Sequence, residues 1–267
     1  MKYCRDCGEP YKENENWEEL QETLKDYNFL SRLQYVPSCN CSEIKAERQA
    51  LEEEKALVRE RIMNRVRKFK NISVVDKKFI ESRFENADMS EKHMLLAKRY
   101  AEKFIEKNGS DVGIILYGDV GTGKTFSTAC IANHLMGNGK TVLALSLNGY
   151  LNKLRSEWAE AERDVLDHVK NCDLLILDDF GSEKKTEWVI EKIFTLIDTR
   201  YRSGKPMVIS TNLNFNNDRK LCEITKYFSI DGKDRIKDRI KEMCYPVLVE
   251  GASKRKVSQD KFKAFLA

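Results

Sequence analysis

Apolar residues are distributed along this chain in two different ways. Over the first seventy positions they stand singly at helical spacing. Trp17, Leu20, Leu24 and Tyr27 recur every three or four residues, which predicts a short amphipathic helix. From Ser42 to Lys70 a run of Glu, Lys, Arg and Ala is interrupted by Ile44, Leu51 and Val58, spaced by sevens, and then by Ile62, Val66 and Phe69. This predicts one long helix, roughly 40 Å at about 1.5 Å per residue, serving as a short coiled coil or as a spacer packed on its own chain. A further helix is expected from a Ser90 cap to a stop at Gly109. Beyond that point the apolar residues cluster. "VGIILYG", "TVLALSL", "DLLILDDF", "PMVISTN" and "YPVLVEG" are short apolar runs bounded by turn residues and mostly separated by helical stretches. Near-continuous apolar strands alternating with helices predict a parallel sheet covered on both faces. The expected fold is therefore α/β, with a five-stranded parallel sheet flanked by helices, a small α-rich amino-terminal module and a long linker helix.

Composition narrows the setting. The chain has 267 residues, of which 34% are charged and 41% apolar, as expected for a globular protein with long solvated helices. No apolar run approaches the roughly 20 residues that span a bilayer, and "MKYCRDCGEP" lacks the apolar core of a secretion signal. A cytoplasmic protein with no membrane partner is expected. In a reducing compartment the eight cysteines read as metal ligands, catalytic groups or buried spacers, not disulfides. Cys4 and Cys7 form C-x-x-C, and Cys39 and Cys41 form C-x-C. Four thiolates in two close pairs suit a tetrahedral Zn²⁺ site that staples a module with little core of its own, although a C-x-x-C pair can also be redox active. Cys130, Cys172, Cys222 and Cys244 lie singly in helix or strand patterns and read as buried. The net charge of +4 identifies no partner, and the basic runs 59–70, 233–241 and 254–256 read first as solvated faces or tails.

The strongest chemical signal is "GDVGTGKT", residues 118–125. It lies between a strand and a helix and matches a phosphate-binding loop: Gly118, Asp119, Val120, Gly121, Thr122 and Gly123 supply the backbone cradle, Lys124 a cation for the outer phosphates, and Thr125 a hydroxyl for Mg²⁺. Asp178 ends the apolar run "DLLIL", the usual place for a metal-side carboxylate, and Asp179 follows. Paired acids at a strand end let one hold Mg²⁺ while the other orients the attacking water; alternatively Asp179 caps the next loop. Asn212 ends a third apolar run, where it contacts the γ-phosphate or its water, or caps a turn. Arg235 and Arg239, four apart, share a helix face beside Ile236 and Ile240. They serve as transition-state cations for a neighbouring subunit's nucleotide, or pair with Asp234 or Asp238. Arg200 is a weaker candidate of the same kind.

Taken in order, these motifs resemble the AAA+ ATPases of the initiator and loader clade. Asn212 in "VISTN" resembles a sensor residue, "KDRIKDRI" resembles the arginine-finger stretch, and "VEGASKR" resembles the G-x-S-x-R close of the DnaC/DnaI-type replicative helicase loaders, with the IstB-like ATP-binding proteins as near cousins. The resemblance covers residues 90–258. It implies a helicase-interaction module over residues 1–70 and an ATPase domain over 71–267. It also implies ATP, Mg²⁺ and Zn²⁺ as cofactors, with partners that include a hexameric replicative helicase, single-stranded DNA and further copies of the chain. The function implied is ATP-dependent loading of that helicase onto single-stranded DNA, with slow hydrolysis stimulated by DNA or partner. The alternatives are an IstB-like transposition ATPase and a nucleotide-gated adaptor or inhibitor with vestigial hydrolysis. The second acid is Asp where most AAA+ enzymes carry Glu, which suggests slow turnover. Only 55 residues follow Asn212, too few for a full helical lid, so assembly is expected to need a template and Arg255 has no assured role. The stretch 149–171 resembles a short form of the extra helix that lines a single-strand path in this clade, with Lys153 and Arg155 facing phosphates; a plain crossover helix is the alternative.

Overall fold

The structure, a computed structural model, describes residues 2–5, 7–25, 30–73, 75–215, 222–228, 234–254, 263 and 266, with the side chains of 42–44 and 157–161 left out. Tyr27, Lys233, Arg255 and Lys256 and the side chain of Ile44, each invoked above, fall outside them. The chain divides into two compact units, residues 1–65 and 66–267.

In the first unit β1 (Lys12–Glu13) pairs antiparallel with β2 (Tyr35–Val36), flanking α1 (Trp17–Leu24). The long helix α2 spans Ser42–Ile72, so the division between the units falls within it. Leu24, Leu33 and Val58 form a small buried cluster, with Trp17, Leu20, Leu30, Leu51 and Ile62 against it. The seven-residue spacing in α2 thus covers this module's own core, which removes the need for a coiled-coil partner there.

The second unit runs through α3 (Lys77–Glu81), α4 (Lys92–Glu106), β3 (Gly113–Tyr117), α5 (Lys124–Gly137), β4 (Val142–Ser146), α6 (Leu147–Asn171), β5 (Leu174–Phe180), α7 (Glu187–Arg202), β6 (Met207–Thr211), α8 (Glu223–Phe228), α9 (Arg235–Met243) and β7 (Cys244–Leu248). The five strands are parallel in the order β4-β5-β6-β3-β7. Alternate strand residues face opposite ways. Ile115, Leu143, Leu175 and Ile209 enter a core shared with α6, α7, α8 and α9, whereas Ile114, Ala144, Ile176 and Val208 enter one shared with α3, α4 and α5. Both faces are dry, which is why the strands read as uninterrupted apolar runs.

Two local expectations change. Ser90 does not cap α4: its N–H and hydroxyl both bond Asp88 Oδ1, at 3.0 and 2.6 Å, and the helix begins two residues later behind Glu91. At the other end Asn108 takes the left-handed conformation expected of glycine, with φ 55°. Residues 147–171 form one uninterrupted helix, so no additional helix is inserted between β4 and β5. Among the described residues no helix is long and apolar enough to cross a membrane.

Candidate functional site

The site lies at the carboxyl edge of the sheet, where the chain leaves β3 for a distant strand, the usual ligand position in an open parallel sheet. Residues 118–123 join β3 to α5, and Gly123, with φ +102°, caps the helix without contributing a side-chain bond. The positive end of α5 therefore points toward the loop, a favourable place for an anion. Lys124 is buried, and its Nζ donates to the carbonyls of Gly118 (2.8 Å) and Asp119 (2.6 Å). Thr122 Oγ1 donates to Asp119 O at 2.9 Å and tightens the turn, while Val120 is exposed at the tip. The segment after β7 lies across this loop. Lys254 N–H donates to Gly121 O at 2.9 Å, and Ser253 Oγ occupies the space where any side chain at Gly121 would stand.

The acids sit two strands away, beyond β6. Asp178 is buried and accepts from Ser210 Oγ at 2.5 Å, with the Thr125 hydroxyl also within hydrogen-bonding reach. Burial raises its carboxyl above the ordinary value and the charge of Asp179 adds to this, while the hydroxyls of Ser210 and Thr125 oppose it. A carboxylate kept from water, with a threonine hydroxyl near enough to influence it, is a suitable seat for a divalent cation, whose charge would offset the desolvation. Asp179 is exposed, with φ 55°, at an irregularity in the β5–β6 pairing. The two acids therefore point in different directions. Such an extra residue re-aims a side chain at a strand end, and the N–H of Asp179 donates to Ser210 Oγ at 3.0 Å. Asn212 follows β6, the strand between β5 and β3, and is exposed. The cradle, both acids and Asn212 thus share one edge.

The arginines do not share one environment. Arg235 is exposed. Arg239 reaches across to α7, where its Nη2 lies 2.6 Å from Asp198 Oδ1 and its guanidinium stacks over Phe194 and Tyr201, at 4.8 and 5.3 Å from the ring centroids. Neither intrahelical pairing weighed for Arg239, with Asp234 or Asp238, accounts for this position. Arg200 is wholly buried and faces away from nucleotide chemistry. It donates to the carbonyls of Val169 (2.7 Å), Cys172 (3.0 Å), Asp173 (3.0 Å) and Pro206 (3.0 Å from Nε), and so caps the carboxyl end of α6. Lys153 is half-buried, and the exposed Arg155 stacks 5.1 Å over Trp188.

In the first unit the four sulfurs of Cys4, Cys7, Cys39 and Cys41 all lie within 4.8 Å of one another. Tetrahedral zinc with Zn–S bonds of about 2.3 Å separates sulfurs by about 3.8 Å, so the cluster fits that ion. Hydrogen bonds in which Cys41 holds its proton toward the neighbouring sulfurs, that of Cys7 foremost, raise its thiol well above the ordinary value; a metal ion displaces such shared protons. The remaining four cysteines are buried.

Several residues at the site were missed from the sequence. Ser210 left a trace, a hydroxyl inside an apolar strand. Glu183 is buried in the loop after β5, where Oε2 accepts from Gly181 N–H at 3.1 Å and burial raises its carboxyl to about 7. Glu91 and His93 left no trace, and Lys254 was legible only as part of the basic run 254–256, since the three come from two distant segments.

A family model described as IstB-like ATP binding protein matches residues 31–263. The chain is 27% identical over 182 residues to the replicative helicase loader DnaI of Bacillus subtilis (strain 168), a match covering 64% of this chain and 58% of that protein. It is 28% identical over 148 residues to the replicative helicase loader DnaC of Escherichia coli (strain K12), covering 54% and 55%. It therefore spans little more than half the length of these curated relatives. A solved structure described as the crystal structure of the DnaI matches with a TM-score of 0.56 at 23% identity, over 68% of this chain and 95% of that one, a likeness of fold.

Proposed function

We propose a function from one premise: the chain belongs to the family of IstB-like ATP binding proteins. The reading is an ATP-dependent loader that places a hexameric replicative helicase on single-stranded DNA. A single observation carries it, namely that Lys124 and Thr125 at the start of α5 share an edge with Asp178, Asp179 and Asn212 at the ends of the two neighbouring strands. Mg²⁺ between Thr125 and Asp178 would supply charge to the outer phosphates. The chain's own groups do the rest. Residues 118–123 wrap the phosphates with N–H groups, Lys124 exchanges its two carbonyl partners for phosphate oxygens, Asp179 orients the attacking water, and Asn212 holds that water or the γ-phosphate. A short aspartate in place of the commoner, longer glutamate reaches less far, so hydrolysis is slow and depends on DNA or partner to complete the geometry. Arg235, on an exposed face of α9, stabilises transition-state charge on the ATP of a neighbouring copy. Residues 1–70, with zinc on the four cysteines, hold the helicase, and residues 71–267 form the nucleotide switch.

The names of the relatives DnaI and DnaC support loading, and the cysteine cluster favours it over a transposition role. The direct check is binding of a fluorescent ATP analogue together with phosphate release, with and without single-stranded DNA. Lys124→Ala is expected to weaken binding about 10- to 100-fold, the loss of one or two charge-assisted bonds. Asp179→Asn is expected to bind normally and lose turnover by about a hundredfold or more. Unchanged ATP binding by Lys124→Ala removes the site assignment. Equal turnover by Asp179→Asn with intact binding moves the protein to the adaptor reading.

A further inference from the structure

Beside the cradle, on the side away from Asp178, stand three groups that the nucleotide reading has not used. Glu91 precedes α4, and its side chain makes no capping bond to the helix. Its two oxygens instead divide between His93 Nδ1, at 3.3 Å, and Lys254 Nζ, at 2.7 Å. His93 is only 6% exposed, and its Nε2 has no hydrogen-bond partner among the described residues. That atom is aimed at the start of α5: a Cβ built on Gly123 would lie 3.5 Å from His93 Nε2 and 3.7 Å from Lys254 Nζ. A buried, unpartnered ring nitrogen and a lysine therefore converge on the N-terminus of a 14-residue helix whose cap contributes no side chain. The positive end of the helix and the charge of Lys254 favour an anion at this point.

The tautomer follows from the partners. The carboxylate 3.3 Å from Nδ1 favours the neutral tautomer with its proton on that nitrogen and a lone pair on Nε2. A lone pair repels a phosphate oxygen, whereas a second proton turns that repulsion into a charge-assisted hydrogen bond. Resting on the reading of residues 118–125 as a nucleotide cradle, we propose that Glu91, His93 and Lys254 form a second phosphate grip on the side of the cradle nearest α4 and the segment after β7, and that His93 Nε2 takes up one proton when a nucleotide phosphate docks.

The charges around the ring suit this role. Burial holds His93 below the usual histidine range, Glu91 just before α4 works against that, and Lys254 on the segment after β7 adds to it. Asp88 lies near enough to Lys254 to feel its charge, and the charged side chain in the first turn of α5, Lys124, is bonded to the loop carbonyls. A docked phosphate brings negative charge to within contact of the ring and raises its pKa relative to the free protein. The sign follows from linkage. The extra binding energy is fully present below the free-state pKa and is lost as pH rises through the bound-state pKa, with each unit between the two worth about tenfold in affinity.

The test is the affinity of the full chain for a fluorescent ATP analogue between pH 5.5 and 8.5, compared with His93→Gln, which keeps a donor amide but does not titrate. The ionisation of the nucleotide is common to both proteins and cancels in the ratio. The grip predicts that His93→Gln binds about tenfold more weakly than wild type near pH 6, and that this deficit is gone or reversed at the alkaline end, where neutral His93 turns a lone pair to the phosphate. Parallel curves for the two proteins overturn it. If His93→Gln does not fold, Lys254→Met, at a half-exposed side chain, is read instead: a several-fold loss of affinity is expected, with its pH dependence displaced upward because the lysine no longer holds His93 down, and unchanged affinity overturns the grip. Failure of the wild-type chain to bind the analogue at any pH is a different result, since it removes the nucleotide reading itself.

Discussion

Arg235 and Arg239 show how much a single side chain's surroundings decide. The two are one helical turn apart on α9, yet Arg239 is spent on Asp198, Phe194 and Tyr201 while Arg235 remains exposed. A guanidinium that is paired and stacked within its own chain is poorly placed to act on a neighbour's ATP, so the two substitutions are expected to separate. Arg239→Ala should lower unfolding stability by about 1 to 2 kcal/mol through the lost stacking and ion pair between α7 and α9. Arg235→Ala should leave stability and ATP affinity unchanged and abolish assembly-dependent hydrolysis. Mixing it with Lys124→Ala should restore part of that activity, because each copy supplies what the other lacks. Mixed proteins no more active than the sum of their separate rates would make Arg235 an ordinary surface residue.

Helix α6 is held at its carboxyl end by a residue from another helix. Its last carbonyls have no intrahelical donors, and Arg200 on α7 supplies them while also bonding Pro206 O at the entry to β6. A cation is favoured at a helix carboxyl terminus, and this one is buried without a carboxylate in its hydrogen-bond set, its charge met by carbonyl dipoles. Arg200→Met is expected to cost on the order of 3 kcal/mol in chemical denaturation, because several carbonyls lose their partner at once, while ATP affinity per folded molecule stays the same. Nothing in the sequence announces this role: "DTRYRSGK" reads as the polar end of an amphipathic helix. The strands were legible for the opposite reason. Residues such as Leu174–Leu177 are buried on both faces, so apolarity alone marks them, and the glycines of residues 118–123 lie where backbone must approach an anion. The Glu91–His93–Lys254 cluster is invisible in one dimension because it joins the start of α4 to the segment after β7, and the Ser90 cap fails because Asp88 takes both hydrogen bonds that Ser90 offers.

At the scale of the whole molecule, the proposed grip and switch occupy different stretches of chain. A module with three buried apolar residues among the described ones has little core to stabilise it, so a metal on Cys4, Cys7, Cys39 and Cys41 is expected to contribute to its folding. Metal analysis of protein purified without chelator should find one zinc per chain, and Cys39→Ser should lose it with ATP binding intact. Absence of zinc would leave the four sulfurs as a redox cluster. The central claim, that nucleotide at residues 118–125 drives deposition of a helicase held elsewhere on the chain, is tested most directly by reconstituted loading. The measurement is transfer of the cognate hexameric helicase to circular single-stranded DNA, with full-length wild type and Lys124→Ala compared in the presence of ATP. The account predicts that both proteins capture the helicase and only the wild type leaves it encircling DNA; loading by Lys124→Ala at the wild-type level, or no loading by either, would contradict it.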